Sequence, residues 1–156
     1  MVKTEGMAPA FVLRDQESRE VRLEDFQGRW VVLYFYPKDG TSGCTREALD
    51  FSMRAGELAT LDAVIVGISP DSVKSHANFV VKNGLKLQLL SDPHHEVCER
   101  YGVWRMKKMC GRESMGVVRS TFLIDPHGIV KKIWDNVKVD GHGQEVHQAL
   151  RAMAPG

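Results

Sequence analysis

The spacing of hydrophobic residues changes from segment to segment and predicts strands that alternate with helices. Two short segments, residues 30–36 and 63–68, are almost entirely apolar, as strands buried on both faces are, and residues 85–90 predict a third strand. Apolar residues at helical spacing follow the first strand from Cys44 to about Leu61 and predict a long helix. A second helix is predicted to open at residues 69–72, with Phe79 and Val80 on its inner side.

Alternating apolar and polar positions predict a β-hairpin on either side of this pattern. The first hairpin covers residues 11–26 and the second covers residues 121–134. A short helix around Val97 precedes the second hairpin, and a final helix follows Gly143. The order predicts a single α/β domain over residues 1–156, with a central mixed sheet flanked by helices and an N-terminal β-hairpin.

Charge and composition bear on the partners and the location of the protein. Lys and Arg number 21 against 20 Asp and Glu, so the net charge of +1 offers no footprint for nucleic acid or an anionic membrane. The N-terminal segment lacks the charged and apolar regions of a secretory signal. The longest apolar run, residues 30–36, is far shorter than a membrane span. We therefore expect a cytoplasmic protein with no nucleic-acid or membrane partner.

The candidate reactive groups are three cysteines, Cys44, Cys98 and Cys110. None lies in a CxxC pair or a repeating metal-ligand spacing, so neither a disulfide framework nor a metal site is predicted. Cys44 lies where a buried strand ends, a polar turn follows and a helix begins. Sites concentrate at this edge of α/β sheets, and the free N–H groups of a helix N-terminus stabilise an anion. Cys44 should therefore form the nucleophilic thiolate readily; the alternative is a small buried hydrophobe.

Three residues near this turn have both a functional and an ordinary interpretation. The Thr41 hydroxyl could reach into the same pocket as Cys44, or it could cap the turn. Pro37 ends the strand and fixes the loop, which requires no function. Arg119 precedes the strand that begins near Thr121, where it supplies either a fixed cation to the site or a solvated surface charge.

Residues 36–48, YPKDGTSGCTREA, resemble the active-site segment of the peroxiredoxins through their PxxxTxxC core. Five further segments resemble the bacterioferritin comigratory protein or peroxiredoxin Q group: ISPDS at 68–72, LSDP at 90–93, YGVW at 101–104, RSTFLID at 119–125 and VKVDGH at 137–142. The resemblance covers nearly the whole chain. It implies a thioredoxin-like fold and an antioxidant peroxidase that reduces hydrogen peroxide and organic hydroperoxides without a cofactor. It also implies regeneration by thioredoxin or another thiol, and a monomer or weak dimer.

The resemblance assigns roles to the residues of the turn. Cys44 becomes the peroxidatic cysteine, whose thiolate attacks the peroxide and becomes a sulfenic acid. Thr41 would orient the peroxide, Pro37 would shield the thiolate from water, and Arg119 would hold the sulfur and the reacting oxygen electrostatically. Glu47 fits the family pattern as a structural residue that accepts a bond from an arginine or a backbone N–H.

The sequence departs from this group in its resolving cysteine. Many members carry it five residues after the first cysteine, where this chain has Leu49, and the rarer position near Val80 has none either. Cys98 shares a helical face with apolar residues and is expected to be a buried hydrophobe. Cys110 lies in the polar segment 107–114, which we expect to be a mobile loop. Cys44 is therefore expected to work either with an external thiol, the version we favour, or through Cys110 as a tentative resolving cysteine.

Other functions are less well supported by the residues present. A thiol–disulfide oxidoreductase would need a cysteine at Glu47, and a copper-delivery protein of this fold would need one at Ala48. A redox sensor or holdase that uses Cys44 oxidation is the alternative; it would be oxidised but not turned over by a thioredoxin system. The histidines are expected on the surface, without convergent ligands for a metal, and include His94, His95, His142 and His147.

Overall fold

The computed structural model describes residues 2–154, in which nine strands and four α-helices are formed. The strands are β1 (Val12–Asp15), β2 (Glu20–Arg22), β3 (Trp30–Phe35), β4 (Ala63–Ser69), β5 (Gln88–Ser91), β6 (Trp104–Met109), β7 (Arg112–Val117), β8 (Ser120–Ile124) and β9 (Val130–Trp134). The helices are α1 (Ser42–Thr60), α2 (Val73–Asn83), α3 (Glu96–Arg100) and α4 (His142–Met153), with a 3₁₀ helix at Leu23–Phe26. No helix among residues 2–154 is long and apolar enough to cross a membrane.

Seven of the strands form one mixed sheet in the order β2-β1-β5-β4-β3-β8-β9. The first three predicted strands, β3, β4 and β5, are its parallel centre, because β4 pairs in parallel with both β3 and β5. The two predicted hairpins complete the sheet with antiparallel pairs, β1 with β2 and β8 with β9. The predicted α/β architecture with a mixed sheet and an N-terminal hairpin is confirmed.

Strand β3 is buried on both faces because its side chains serve two separate cores. Val31, Leu33 and Phe35 belong to the core that includes the 3₁₀ helix and α3. The alternate positions, such as Val32 and Tyr34, belong to the core shared with α1 and α4. Side chains of a strand alternate between faces, so a strand covered on both sides is apolar at every position. The end of β3 is thereby fixed from both faces, and the loop before α1 starts from a rigid point.

Two sequence expectations about elements need correction. The third strand was expected over residues 85–90, but pairing with β4 begins at Gln88, because Gly84 ends α2 in a left-handed conformation and the chain then crosses to the sheet. The segment 107–114 was expected to be a mobile loop, but it belongs to the antiparallel ribbon of β6 and β7. Cys110 and Gly111 turn this ribbon with φ of 52° and 79°, as a two-residue type I′ turn requires.

The expectation that the histidines lie on the surface is wrong for three of them, His76, His142 and His147. His142 is 3% exposed and His147 is 6% exposed. His142 begins α4 beneath the sheet, where its Nε2 lies 2.8 Å from the Thr121 hydroxyl and its ring meets those of Phe51 and Trp134 edge-on. Burial also lowers the pKa of His142, so its ring is neutral near pH 7. Hydrogen bonding and aromatic packing thus place this polar ring in the core.

We expect Gly67→Ala to lower the free energy of unfolding by about 1–3 kcal/mol, the usual cost of overpacking a core. A Cβ atom at Gly67 in β4 would lie 2.8 Å from the Tyr34 ring and 2.9 Å from a Leu89 methyl carbon. Urea denaturation measures the change. The matched control is Gly56→Ala in α1, where a Cβ meets nothing within 4 Å and the helix should gain about 0.5–1 kcal/mol. Equal stability of Gly67→Ala and the wild type would contradict the packing described here.

Candidate active site

The turn between β3 and α1 lies at the carboxyl edge of the parallel strands. Thr41 is the N-cap residue of α1, in extended conformation, and its carbonyl accepts the first helical bond from the Thr45 N–H at 2.9 Å. Cys44 is therefore in the first turn of a 19-residue helix, whose N-terminal end carries a partial positive charge. The position predicted for Cys44 is the position observed.

Cys44, Arg119 and Glu47 form a buried polar cluster. The Arg119 guanidinium enters from the junction of β7 and β8, and its Nη2 donates to Cys44 Sγ at 3.4 Å. Its Nη1 donates to Glu47 Oε1 at 2.6 Å. Cys44 is 1% exposed and Glu47 is 2% exposed, so both interactions are shielded from water. The structure thus brings Arg119 and Cys44 together, and it confirms that Glu47 accepts a bond from an arginine.

Gly43 allows the guanidinium to approach the helix this closely. A Cβ atom at position 43 would lie 3.2 Å from Arg119 Nη2, closer than a guanidinium nitrogen ordinarily packs against a methyl group. The glycine is needed here for space, because its φ is not in the left-handed region. The missing side chain at Gly43, directly before Cys44, therefore makes room for Arg119 in the cluster.

The charges in this cluster depend on one another. Burial disfavours the charged form of Arg119, but Glu47 and Cys44 raise the pKa of the guanidinium above its usual value, so it is a permanent cation. Burial raises the pKa of Glu47 to about 7, although Arg119 acts to lower it. The cluster therefore contains one fixed positive charge and a carboxyl group that titrates near neutral pH.

Thr41 and Pro37 flank the cluster from the loop. The Thr41 side chain is exposed, and its hydroxyl donates to the Lys38 carbonyl at 2.9 Å, which is the turn-stabilising interaction. Pro37 is half-buried and lines one open cleft together with Arg119 and residues of β6. Both residues thus lie on the solvent side of the loop before Cys44.

A family model, described as AhpC/TSA, matches residues 4–133, which include the turn, Cys44, Glu47 and Arg119. The chain belongs to the AhpC/TSA family. Peroxiredoxin Bcp of Bacillus subtilis is 47% identical over 147 residues, which are 94% of each chain. Peroxiredoxin Bcp of Xanthomonas campestris is 45% identical over 135 residues, which are 86% of this chain and 84% of that protein.

Solved structures of the same group have the same fold as this AhpC/TSA family member. The bacterioferritin comigratory protein of Xanthomonas campestris, solved for its alkyl peroxide reduction activity, superposes with a TM-score of 0.88 at 42% identity, over 93% of this chain and 92% of that one. A peroxiredoxin Q variant of Xylella fastidiosa gives a TM-score of 0.90 at 35% identity, over 98% and 99% of the two chains. The thioredoxin-like peroxiredoxin fold is confirmed, and the chain is a thiol-dependent peroxidase. The redox sensor or holdase is not favoured.

The other two cysteines lie in contrasting surroundings. Cys98 is fully buried in α3, as predicted, and burial together with the nearby Asp92 carboxylate raises the pKa of its thiol far above the usual value. Cys98 is therefore an inert thiol near neutral pH. Cys110 is exposed at the tip of the β6–β7 ribbon. Of the three cysteines, Cys44 is the one that the structure places against a guanidinium.

A second buried network, which sequence reasoning missed, fastens the loop before Cys44. The Asp39 carboxylate accepts from the Tyr36 hydroxyl at 2.6 Å, from the Ser75 hydroxyl at 2.8 Å and from His76 Nδ1 at 2.7 Å. The Asp39 N–H donates to the Asp71 carboxylate at 2.8 Å. The loop is thus tied at one residue to the end of β3, to the turn after β4 and to α2.

The state of this network follows from its donors and acceptors. Burial alone would raise the pKa of Asp39, but hydrogen bonds from His76, Tyr36 and Ser75 lower it below its usual value. His76 Nε2 lies 3.0 Å from the Leu90 carbonyl, while Nδ1 faces the ionised Asp39. Both ring nitrogens of His76 therefore have polar partners, and its contact with the Asp39 carboxylate holds the loop.

The sequence contains a signal for this pair. His76 lies three residues before Phe79 on the inner face of the predicted second helix, and a histidine on such a face needs polar partners in the core. Asp39, Asp71 and His76 each place one potential ligand atom within 4.8 Å of the others. These atoms already bond to one another, to backbone groups or to the hydroxyls of Ser69, Ser75 and Tyr36. The cluster is therefore a hydrogen-bond network.

We expect His76→Leu to lower the free energy of unfolding by about 3 kcal/mol, because it removes one hydrogen-bond partner from the buried Asp39 carboxylate and one from the Leu90 carbonyl. We also expect the folded variant to be oxidised by peroxide more slowly, since the loop before Cys44 loses its anchor. Denaturation and stopped-flow tryptophan fluorescence measure the two effects. His94→Leu, at an exposed position, is the matched control and should change neither. A His76→Leu protein as stable as its control would show that the pair does not hold the loop.

Proposed function

We propose that Cys44 is the peroxidatic cysteine and that Thr41, Pro37 and Arg119 complete its active site. The Cys44 thiolate attacks the terminal oxygen of a hydroperoxide, so an S–O bond forms as the O–O bond breaks. The products are a Cys44 sulfenic acid and an alcohol or water. Hydrogen peroxide and organic hydroperoxides are the proposed substrates, and the alkyl peroxide reduction of the Xanthomonas campestris relative supports the second class.

The role of each neighbour follows from where charge moves in this step. Negative charge leaves the sulfur and develops on the departing oxygen. Donors fixed in advance around that path stabilise the transition state more than the ground state. Arg119 Nη2, already at 3.4 Å from the sulfur, holds the starting charge, and the Thr41 hydroxyl orients the peroxide from the solvent side. Pro37 limits the access of water to the thiolate.

The observation that carries this proposal is the contact between Arg119 and Cys44 in the first turn of α1. A guanidinium and a helix N-terminus both stabilise a thiolate, which is the reactive form of cysteine. Cys98 has the opposite surroundings, since burial and Asp92 keep its thiol protonated.

We expect Cys44→Ser to abolish peroxide consumption, because serine cannot supply the thiolate. The measurement is a peroxide-consumption assay coupled to thioredoxin and thioredoxin reductase. Cys98→Ser is the matched control, a substitution of the same chemistry in α3, and it should retain the wild-type rate. Residual turnover in Cys44→Ser, or loss of activity in Cys98→Ser, would refute the assignment.

The sulfenic acid is proposed to be resolved by an external thiol, such as thioredoxin. Leu49 is exposed on α1 at the position where related proteins carry a resolving cysteine. Cys110 lies at the far end of a ribbon of six residue pairs, about 20 Å from its base beside Val117. The lack of a cysteine at position 49 supports the version with one working cysteine, and resolution by Cys110 is the alternative.

We expect mass spectrometry after one equivalent of peroxide to find a Cys44 sulfenic acid in the wild type and in Cys110→Ser alike. A Cys44–Cys110 peptide in the non-reduced digest of the wild type would remove the one-cysteine version. Oxidation at low protein concentration favours a link within one chain over a link between two chains, and so separates the two. Dimedone labelling of Cys44 in both proteins is the positive readout.

The remaining proposals concern the protein as a whole. We propose that residues 1–156 act as one domain, as a monomer or weak dimer, in the cytoplasm, in antioxidant defence. The near-neutral net charge of +1 supports the absence of nucleic-acid and membrane partners. Peroxide and a thiol reductant are the partners that membership of the family implies.

A further inference from the structure

One guanidinium is shared by two buried acids in this active site. Arg119 presents Nη2 to Cys44 Sγ at 3.4 Å and Nη1 to Glu47 Oε1 at 2.6 Å. Cys44 and Glu47 lie one turn apart on the inner face of α1, 1% and 2% exposed. A thiolate, a carboxylate and a guanidinium together would leave an excess negative charge away from water. Such an excess is costly, so one acid is disfavoured whenever the other is ionised.

The second oxygen of Glu47 supports this competition. Glu47 Oε2 is buried and has no hydrogen-bond partner among residues 2–154. A fully ionised carboxylate carries charge on both oxygens and is stabilised when both accept hydrogen bonds. Here only Oε1 is bonded, which favours a proton on Oε2 when Cys44 is charged.

The other groups around Glu47 do not supply a second cation at contact distance. The titratable or charged residues facing Glu47 or its two partners are Tyr34 from β3, Asp50 from α1, Lys107 from β6 and His142 from α4. Tyr34 is neutral, since burial raises the pKa of its hydroxyl well above the usual value. His142 is neutral as well, and Asp50 adds negative charge. The Lys107 ammonium donates to the Val117 carbonyl at 2.8 Å instead.

We infer that Glu47 holds a proton while Cys44 is a thiolate and releases it when Cys44 becomes a sulfenic acid, so that this release offsets the proton that the leaving oxygen takes up. This inference rests on the proposed role of Cys44. The thiolate, the Glu47 carboxylic acid and a hydroperoxide become a sulfenic acid, a Glu47 carboxylate and an alcohol. The sulfur is oxidised by two electrons, the O–O bond is reduced by two, and the cluster keeps its charge throughout. Glu47 acts through Arg119 and does not touch the peroxide.

The pKa of Glu47 determines the pH range in which its change of protonation can be measured. Burial raises the pKa of Glu47 to about 7. A negative charge on the neighbouring Cys44 disfavours a second negative charge and would raise this pKa further. Just above pH 7, Glu47 is therefore mostly ionised beside the neutral sulfenic acid and mostly protonated beside the thiolate. At pH values well below or well above this range, Glu47 has the same protonation state beside the thiolate and beside the sulfenic acid.

The test is the number of protons taken from solvent in a single turnover of the reduced protein. Without a proton donor in the site, a thiolate consumes one proton per hydroperoxide. We expect uptake by the wild type to fall below one just above pH 7, by about half a proton if the two titrations of Glu47 lie one pH unit apart. Uptake should return to one on the alkaline side. A weakly buffered solution with a pH indicator, in a stopped-flow instrument, reports this number.

Variants separate this role from a structural one. Glu47→Gln cannot titrate and should take up one proton at every pH at which Cys44 is a thiolate. Glu47→Asp should restore the dip, that is, the fall in proton uptake below one just above pH 7. Glu57→Gln, the same substitution at an exposed position of α1, should behave as the wild type. The ultraviolet absorbance of the thiolate, recorded at each pH, confirms the starting state of Cys44. If Glu47→Gln does not fold, the pH profile of the wild type with Glu57→Gln decides the matter alone.

The outcomes also separate the inference from the function on which it rests. Uptake of one proton by the wild type across the whole range, with normal oxidation of Cys44, would overturn the role of Glu47 and leave the peroxidase intact. No thiolate absorbance and no oxidation of Cys44 would overturn the proposed active site itself. A dip that persists unchanged in Glu47→Gln would assign the proton to another group and refute the inference.

Discussion

The active site depends on a guanidinium held away from water between two acidic side chains. Arg119 is kept charged by Glu47 and Cys44 in spite of its burial, and it in turn fixes where negative charge can lie. Without this cation, the helix N-terminus would be the main stabilising influence on a thiolate that is 1% exposed. The interaction also joins distant parts of the chain, since Arg119 lies 75 residues beyond Cys44. The cluster of Cys44, Glu47 and Arg119 is therefore complete only when β8 has paired with β3.

Two buried networks hold the turn between β3 and α1 that carries Cys44. The Arg119 cluster fixes Cys44 from the side of α1, while Asp39 and His76 fix the preceding loop from the side of α2. Two tyrosines lie between these networks. The Tyr36 hydroxyl donates to Asp39, and the Tyr34 ring packs over Gly67 of β4. The loop therefore begins at the end of β3, and the aromatic rings at that end of the strand pack beneath it. A loop tied at several points places its side chains more reproducibly than a loop held by its ends alone.

The strands and long helices could be predicted from the sequence because each has a continuous apolar pattern. Strand β3 is buried at all six positions, and α1 repeats its apolar residues at helical spacing. The β6–β7 ribbon could not, because its strands are mostly exposed and are held by backbone pairing, which leaves no apolar pattern. For the site, the position of Cys44 was readable from a strand, a turn and a helix in succession. The partnership of Asp39 with His76 was not, since it depends on how α2 packs against the loop, 37 residues away in the chain.

An arginine at position 119 is required by the shape of the cluster as well as by its charge. The guanidinium is a planar fork, and its two terminal nitrogens point at Glu47 and Cys44 separately. A lysine ammonium is a single point of charge that would have to choose one partner or lie between them, and it can lose its proton when buried. A Cβ atom at position 43 would lie 3.2 Å from Arg119 Nη2, so the glycine leaves room for the edge of the flat guanidinium. Because the cation cannot give up its proton, any proton that moves within this cluster must move on Cys44 or on Glu47.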